Sequence, residues 1–234
     1  MTNNATVYLV PSVLHETAVQ TIPSYIIDAV KNCTVIFAEN ERTARRFLKS
    51  ICQEIVIDDY EWFTIHKAED EMLATFRQKI REGKNIAIIS EAGCPGIADP
   101  GQVLIAAAQE MDAIIKPLVG PSSILLALMA SGMNGQQFEF IGYLPIDTME
   151  RHKAIAALEL ASQKKNSTQV FIETPYRNNQ LMETLLKTCK PSTRLCIAAE
   201  LTSENEYVKT KTISNWKKEK TDLHKKPVIF LLHA

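Results

Sequence analysis

"NIAIISEAGCPGIADPGQVLIAAAQE", residues 85–110, decides how the chain reads. An apolar run ends at Ser90 and a helical pattern starts at Gln102. Gly93, Gly96, Gly101, Pro95 and Pro100 crowd the span between them. A buried strand that passes through a short loop into a helix is the first half of a β-α-β unit, with its loop at the carboxyl edge of a parallel sheet. Ligands of open α/β sheets sit at that edge. Glycine lets the backbone approach a ligand or take positive φ, and proline stiffens the turn while removing a donor. The loop therefore presents backbone more than side chains. It matches neither G-x-G-x-x-G nor G-x-x-x-x-G-K-[ST], and no lysine stands in it to cradle phosphates.

Outward from this loop, short strand-like runs alternate with amphipathic stretches. Strands are expected at 6–11, 33–39, 54–59, 85–90 and 113–119, and helices near 20–31, 41–52, 67–82 and 102–111. Near-continuously apolar strands between helices predict a mostly parallel sheet covered on both faces. "PLVGPSSILLAL" (117–128) repeats the strand-to-helix logic. Gly120 and Pro121 turn the chain, and Ser122 or Ser123 is placed to cap a helix whose first N–H groups point outward. Beyond it the rhythm changes. Strands at 138–145 and 168–174, helices at about 148–165 and 176–189, and three closing strands from 194, 206 and 227 predict a mixed sheet, the first two of those three pairing antiparallel. The expected organisation is two α/β domains, residues 1–119 with a mostly parallel sheet and residues 120–234 with a mixed one.

Composition narrows the function classes. The 234 residues are 46% hydrophobic and 23% charged with a formal net charge of −1, an ordinary soluble globular balance without a global field for nucleic acid or membrane. An RNA partner would need a local basic patch; "ERTARR" (41–46), "RHK" (151–153), "QKK" (163–165) and the lysine-rich stretch 217–226 are the candidates. Five scattered cysteines without a C-x-x-C pair read as reduced thiols of a cytoplasmic protein. Five dispersed histidines, including His66, give no metal-ligand spacing. The start "MTNNATVYLVP" lacks the pattern of a secretory leader, and no apolar run is long enough to span a bilayer.

"SEAGCPGIADPG" (90–101), "VGPSSILLALMASGM" (119–133) and "FEFIGYLP" (138–145), in this order and spacing, resemble the tetrapyrrole-methylase superfamily. Within it the chain is most similar to the rRNA small-subunit methyltransferase I family. "FIETPYR" (171–177) resembles that family's Y-E-S-P-H-R, "AAELT" (198–202) its R-E-L-T-K, and "FAENERTARRFL" (37–48) its A-E-D-T-R-x-T-R-R-L-L. The resemblance implies S-adenosylmethionine in a cleft between the two domains of a homodimer, and rRNA or a ribosomal subunit as partner. Gly93, Cys94, Pro95, Gly96, Ile97 and Ala98 stand where the superfamily's G-D-P turn wraps the methionine end of the cofactor. Ser122, Ser123, Tyr143, Pro175 and Leu201 are the further cofactor positions. Glu39, Glu173 and Glu200 are the carboxylates matched to family motifs that could act as a base on a ribose hydroxyl, with Arg177 beside them. Arg42, Arg45 and Arg46 are the candidate substrate contacts, and Arg42 and Arg177 could hold a phosphate, since a guanidinium forks well onto such oxygens.

Several positions depart from the family pattern. The first loop, "PSVLHETAVQTIP" (11–23), has neither the family's glycine nor its asparagine. Asn40 replaces an aspartate, Tyr176 a histidine and Ser203 a lysine, while Lys226-Pro227 replaces Gly-Glu. These changes spare the cofactor loops and fall at acceptor-side positions. Three functions stay open at this level: methylation of an RNA ribose, methylation of a small-molecule or other acceptor, and cofactor binding without catalysis.

Overall fold

The computed structural model describes residues 5–65, 69–98 and 100–234; His66, Asp99 and the first four residues lie outside them. The chain forms two compact units, Met1–Ser122 and Ser123–Ala234.

The first unit carries five parallel strands, β1 (Thr6–Val10), β2 (Val35–Ala38), β3 (Glu61–Thr64), β4 (Ile86–Ile89) and β5 (Ile114–Pro117), in the order β3-β2-β4-β1-β5. Its helices are α1 (Tyr25–Lys31), α2 (Glu41–Ile51), α3 (Glu69–Arg81) and α4 (Gln102–Glu110). Alternation along a strand sends successive side chains to opposite faces. In β4, Ala87 and Ile89 join Ile26, Val30, Phe47 and Leu48 of α1 and α2. Ile86 and Ile88 join Phe76 and Leu104 of α3 and α4 on the other face. A central strand apolar on both faces is what two covering helix layers require, and all four residues of β4 are buried.

One strand differs from expectation. Residues 54–59 are not a strand: Ile55 drops into the core, and Ile57–Asp59 form a single 3-10 turn. The edge strand is Glu61–Thr64, paired with β2 from Val35↔Glu61 to Ala38↔Thr64. Adjacent acidic Asp58 and Asp59 suit a turn better than a ladder, and Trp62 reaches back from β3 to donate its indole N–H to Ile57 O at 2.9 Å. The start of the helix expected at 67–82 falls outside the described residues.

The second unit has β6 (Phe138–Tyr143), β7 (Thr168–Ile172), β8 (Arg194–Ala199), β9 (Tyr207–Thr212) and β10 (Val228–His233) in the order β6-β7-β10-β8-β9. Only β6 and β7 pair in parallel; β10 runs antiparallel to β7 and β8, and β8 to β9. The mixed sheet is as expected. Helices α5 (Ser123–Ser131), α6 (Thr148–Lys165), α7 (Asn178–Thr188) and α8 (Ile213–Trp216) cover it. One core gathers Ile155, Leu181 and Leu185 of the helices against Phe171, Ile197 and Phe230 of the strands. Phe171 and Phe230 stack 5.8 Å apart across the β7–β10 pair. Asp147 caps α6 by accepting the Glu150 N–H at 2.9 Å, and Asn166 ends it in the left-handed conformation. Among the described residues no helix is long and apolar enough to cross a membrane.

Candidate functional site

Strand order builds the site of the first unit. β4, β1 and β5 are parallel neighbours, so the segments leaving their carboxyl ends (residues 90–98, 11–13 and 118–122) emerge side by side. They are tied together. Ser12 and Gly93 form an antiparallel bridge, with Ser12 N–H on Gly93 O at 2.8 Å and Gly93 N–H on Ser12 O at 3.2 Å. The Ser12 hydroxyl donates to Ser90 O at 2.8 Å, and the Ser90 hydroxyl donates to Gly93 O at 3.2 Å. Cys94 Sγ lies 3.5 Å from Pro121 O, which joins the third segment.

The glycines here are demanded first by the loop itself. Gly93, Gly96 and Gly101 take φ of +73°, +74° and +117°, the left-handed region that only glycine enters without strain. A Cβ on Gly93 would meet Leu14 and Pro121 at ordinary distances, so its requirement is backbone conformation and not open space. Gly120 is different: a Cβ there would lie 2.2 Å from Pro11 Cβ. Only glycine lets the third segment close on the first. Ser12, which the sequence left as part of an altered first loop, is the residue that anchors it; the absence of a glycine in that loop hid its role.

Beyond the bridge the lip turns outward. Pro95 is buried, whereas Ile97 and Ala98 are exposed, and Ala98 holds φ +64° without being glycine. Non-glycine residues in this conformation store strain and cluster at ligand-binding turns. The lip offers amide and carbonyl dipoles, a thiol and the Ser122 hydroxyl, with no charged side chain in 92–98. Such a donor set fits a ligand that carries its own ammonium, carboxylate and sulfonium, so S-adenosylmethionine is chemically compatible with it.

The carboxyl ends of β2 and β4 hold the next group. Glu39 accepts the Glu91 N–H at 2.8 Å, and Glu91 in turn accepts from the Thr43 hydroxyl at 3.3 Å. Asn40 caps α2 by accepting the Thr43 N–H at 3.2 Å. Glu39 therefore fixes the root of the glycine-rich loop. On α2 the three arginines separate. Arg42 and Arg46 are exposed without a side-chain partner among the described residues. Arg45 pairs with Glu41 at 2.7 Å and lies over Trp62, 5.0 Å from the ring centroid. That engagement makes Arg45 a structural link between α2 and β3, not a free phosphate contact.

In the second unit, β6, β7 and β8 all end at one sheet edge, where β10 begins: Tyr143 pairs with Ile172, and Ile172 and Ala199 flank Ile229 and Val228. Tyr143, Glu173 and Glu200 are thereby brought to one edge. The Glu173 side chain is fully buried, and its Oε1 accepts from Thr174 N–H at 2.7 Å, Arg177 Nε at 3.0 Å and Arg177 Nη2 at 2.7 Å. Its Oε2 is buried with no partner among the described residues. The carboxylate beside it, with burial working against, holds the Arg177 guanidinium charge even more firmly than usual. Three donors on one oxygen make this carboxylate the group that orients the arginine. Glu200 takes φ +51° and pairs with Lys226 at 2.9 Å. Thr202 has φ +70°, which makes the segment after β8 a second cluster of strained non-glycine residues. Leu201 between them is buried, and Pro175 O accepts the Lys225 N–H at 3.0 Å.

Tyr143 and Arg177 line a cavity of about 490 Å³ with Leu144, Pro145, Ile146 and Thr174. The sequence placed Arg151, in "RHK", among the candidates for a basic patch, but it is only 1% exposed. It donates from Nε to Pro145 O at 3.0 Å and from Nη2 to Ile146 O, holding the cavity wall from behind. No local motif marks a buried arginine whose partners are main-chain carbonyls, so nothing in the sequence betrayed it.

Two α/β units, one with a glycine- and proline-rich loop at the carboxyl edge of a parallel sheet, define the class: a two-unit α/β protein. A family model for tetrapyrrole (corrin/porphyrin) methylases matches residues 26–216, and the chain belongs to that family. It is similar to proteins named ribosomal RNA small subunit methyltransferase I. The one from Micromonospora olivasterospora is 30% identical over 74% of this chain and 52% of its own length, and that from Buchnera aphidicola 28% identical over 88% and 70%. The matched region thus spans about half to seven tenths of those curated relatives. Among solved structures, diphthine synthase superposes with a TM-score of 0.67 at 12% identity, covering 98% of this chain and 90% of that one. The methyltransferase CobJ gives 0.66 at 14%, covering 98% and 94%. At such identities the likeness establishes the fold.

Proposed function

We propose that the protein is an S-adenosylmethionine-dependent methyltransferase whose acceptor is RNA, a ribose 2′-hydroxyl of small-subunit rRNA, and that it works in the cytoplasm as a homodimer. The convergence of three segments at the carboxyl ends of β4, β1 and β5, bound together through Ser12 and Gly93, carries the reading. Membership of the methylase family and similarity to rRNA methyltransferases support the chemistry and the acceptor class. The basic residues exposed on α2, Arg42 and Arg46, suit a phosphate backbone.

Residues 93–98 and Ser122 would hold the cofactor in the first unit; Ser123, Pro175 and Leu201 join the proposed set through the resemblance. When bound, the cofactor supplies an electrophilic methyl group on a sulfonium. The protein's part is to align donor and acceptor and to lower the cost of freeing the hydroxyl proton. Of the three carboxylates, Glu39 and Glu173 are occupied with main-chain and guanidinium donors. Glu200, about a fifth exposed and paired with Lys226, stays in the proposed set as a candidate base.

Calorimetric titration with S-adenosylhomocysteine tests the cofactor, and methyl transfer from radiolabelled S-adenosylmethionine to small-subunit rRNA tests the acceptor. Micromolar affinity, about −8 kcal/mol, with label in the RNA supports both. No binding at millimolar ligand overturns the reading, and binding without label in RNA overturns the acceptor alone.

A further inference from the structure

We infer that the cavity formed by Tyr143, Leu144, Pro145, Ile146, Thr174 and Arg177 receives a single unpaired nucleotide, its base against the tyrosine and apolar wall and its phosphate on the arginine. The inference deepens the RNA reading and rests on it. Tyr143 moves from the cofactor set to the acceptor set.

The cation is built for a phosphate. Both Nε and Nη2 of Arg177 are spent on one oxygen of Glu173, and that carboxylate is itself immobilised by its bond from Thr174 N–H. The plane of the guanidinium is therefore fixed. Nη1 has no protein partner among the described residues and is not buried, so two N–H donors face outward in a set direction. Pre-organised guanidinium donors of this kind suit phosphate oxygens better than a flexible ammonium does.

The wall is built for a base. Tyr143 is 60% exposed and Ile146 66%, a large outlay of apolar surface at the rim of a cavity. Exposed apolar residues gathered beside a concavity mark a binding site. Arg151 fixes this wall through Pro145 O and Ile146 O, although burying a guanidinium without a carboxylate is costly. Its charge lies one layer behind the wall and adds a second positive source in a low-dielectric setting.

One aromatic platform and one oriented cation beside an open cavity match one nucleotide. Polyphosphate would call for more cations or a nest of N–H groups. Paired bases keep their faces stacked inside the duplex and have none to offer the tyrosine; proteins read RNA sequence and shape at unpaired, splayed bases for this reason.

Fluorescence anisotropy of a labelled single-stranded RNA and of the same sequence annealed to its complement tests the inference, with wild type, Tyr143→Ala, Tyr143→Phe and Arg177→Ala. The single strand should bind at least about 10-fold more tightly than the duplex, and Tyr143→Ala should lose about 10-fold or more while Tyr143→Phe keeps its affinity. Arg177→Ala should reduce the slope of log K against log salt by about 0.7, the contribution of one single-strand phosphate. S-adenosylhomocysteine affinity is measured on every variant. Equal binding of single strand and duplex, or wild-type affinity in Tyr143→Ala, overturns the nucleotide cavity while leaving the RNA reading intact. Loss of S-adenosylhomocysteine affinity in Tyr143→Ala returns the residue to the cofactor and overturns it as well. No RNA binding by wild type that still binds S-adenosylhomocysteine overturns the RNA reading, and the cavity with it. Arg177→Ala leaves Glu173 buried without its cation; should it fail to fold, the exposed Tyr143 positions carry the decision.

Discussion

Two glycines of the first unit have different physical reasons to be glycine, and substitution separates them. At Gly93 an added Cβ meets nothing closer than 3.5 Å, but φ is +73°. Gly93→Ala should cost about 1–2 kcal/mol, the left-handed penalty of an L-residue, read as a lower urea midpoint at unchanged slope. At Gly120 the conflict is volume, with Pro11 Cβ and Cγ at 2.2 and 2.3 Å. Gly120→Ala should lose about 1–3 kcal/mol by overpacking, and Pro11→Gly, which deletes both opposing atoms, should restore part of it. A double-mutant cycle with no coupling between the two positions would show that the segments do not touch in solution. The sequence made the loop's place legible, because glycine and proline between a strand and a helix mark the turn at the carboxyl edge of a parallel sheet, with or without a ligand there. It did not distinguish positive φ from close approach, since both read as the same letter. Arg151 lies further out of reach: "RHK" has the look of a solvated helix start, and only tertiary packing turns its first residue inward.

At the scale of elements, α2 offers a clean contrast. Arg45 is tied to Glu41 and Trp62, whereas Arg42 and Arg46 are not tied to anything described. Arg42→Ala and Arg46→Ala should each weaken RNA binding and flatten its salt dependence. Arg45→Ala should leave the salt slope in place and lower stability, by about 1 kcal/mol for an ion pair of this exposure with a cation–π contact. Equal effects of all three on the slope would mean that Arg45 leaves Trp62 to reach the RNA. On β10, His233 is nearly buried, and Arg194 Nη2 approaches its Nδ1 at 3.1 Å. Burial first and the neighbouring guanidinium second push its pKa below 6.5, against a smaller opposing main-chain bond. The folded state thus binds this proton less readily than the unfolded chain. The neutral ring's contribution is complete above about pH 6.5 and is lost as pH falls through the depressed folded value. Between pH 7 and 5 urea stability should fall, and His233→Gln should flatten that fall. The periodicities made nearly all strands and helices legible. β3 was misplaced because "EIVIDD" has the apolar content of a strand, while the true strand "EWFT" sits at an edge where only aromatic character marks it.

Across the whole molecule, the five thiols report where a ligand sits without any substitution. Burial pushes Cys33 and Cys189 up to about 12 and raises Cys196 as well, so these three stay protonated and enclosed. Cys52 and Cys94 are partly exposed, one at the end of α2 and the other in the loop after β4. Thiolates are the reacting species, so alkylation of the native protein should mark Cys52 and Cys94 and spare the other three. If residues 93–98 hold the cofactor, S-adenosylhomocysteine should slow alkylation of Cys94 and leave Cys52 unchanged. Slowing at both thiols would indicate general tightening of the fold by linkage. Equal rates at Cys94 with and without saturating ligand would place the cofactor away from this loop, and the convergence of three strand ends would then need another occupant. Peptide mass spectrometry after a timed pulse of alkylating agent distinguishes these outcomes. It does so on the unaltered chain, where neither the strain of a replaced glycine nor the loss of an ion pair can imitate the loss of a ligand.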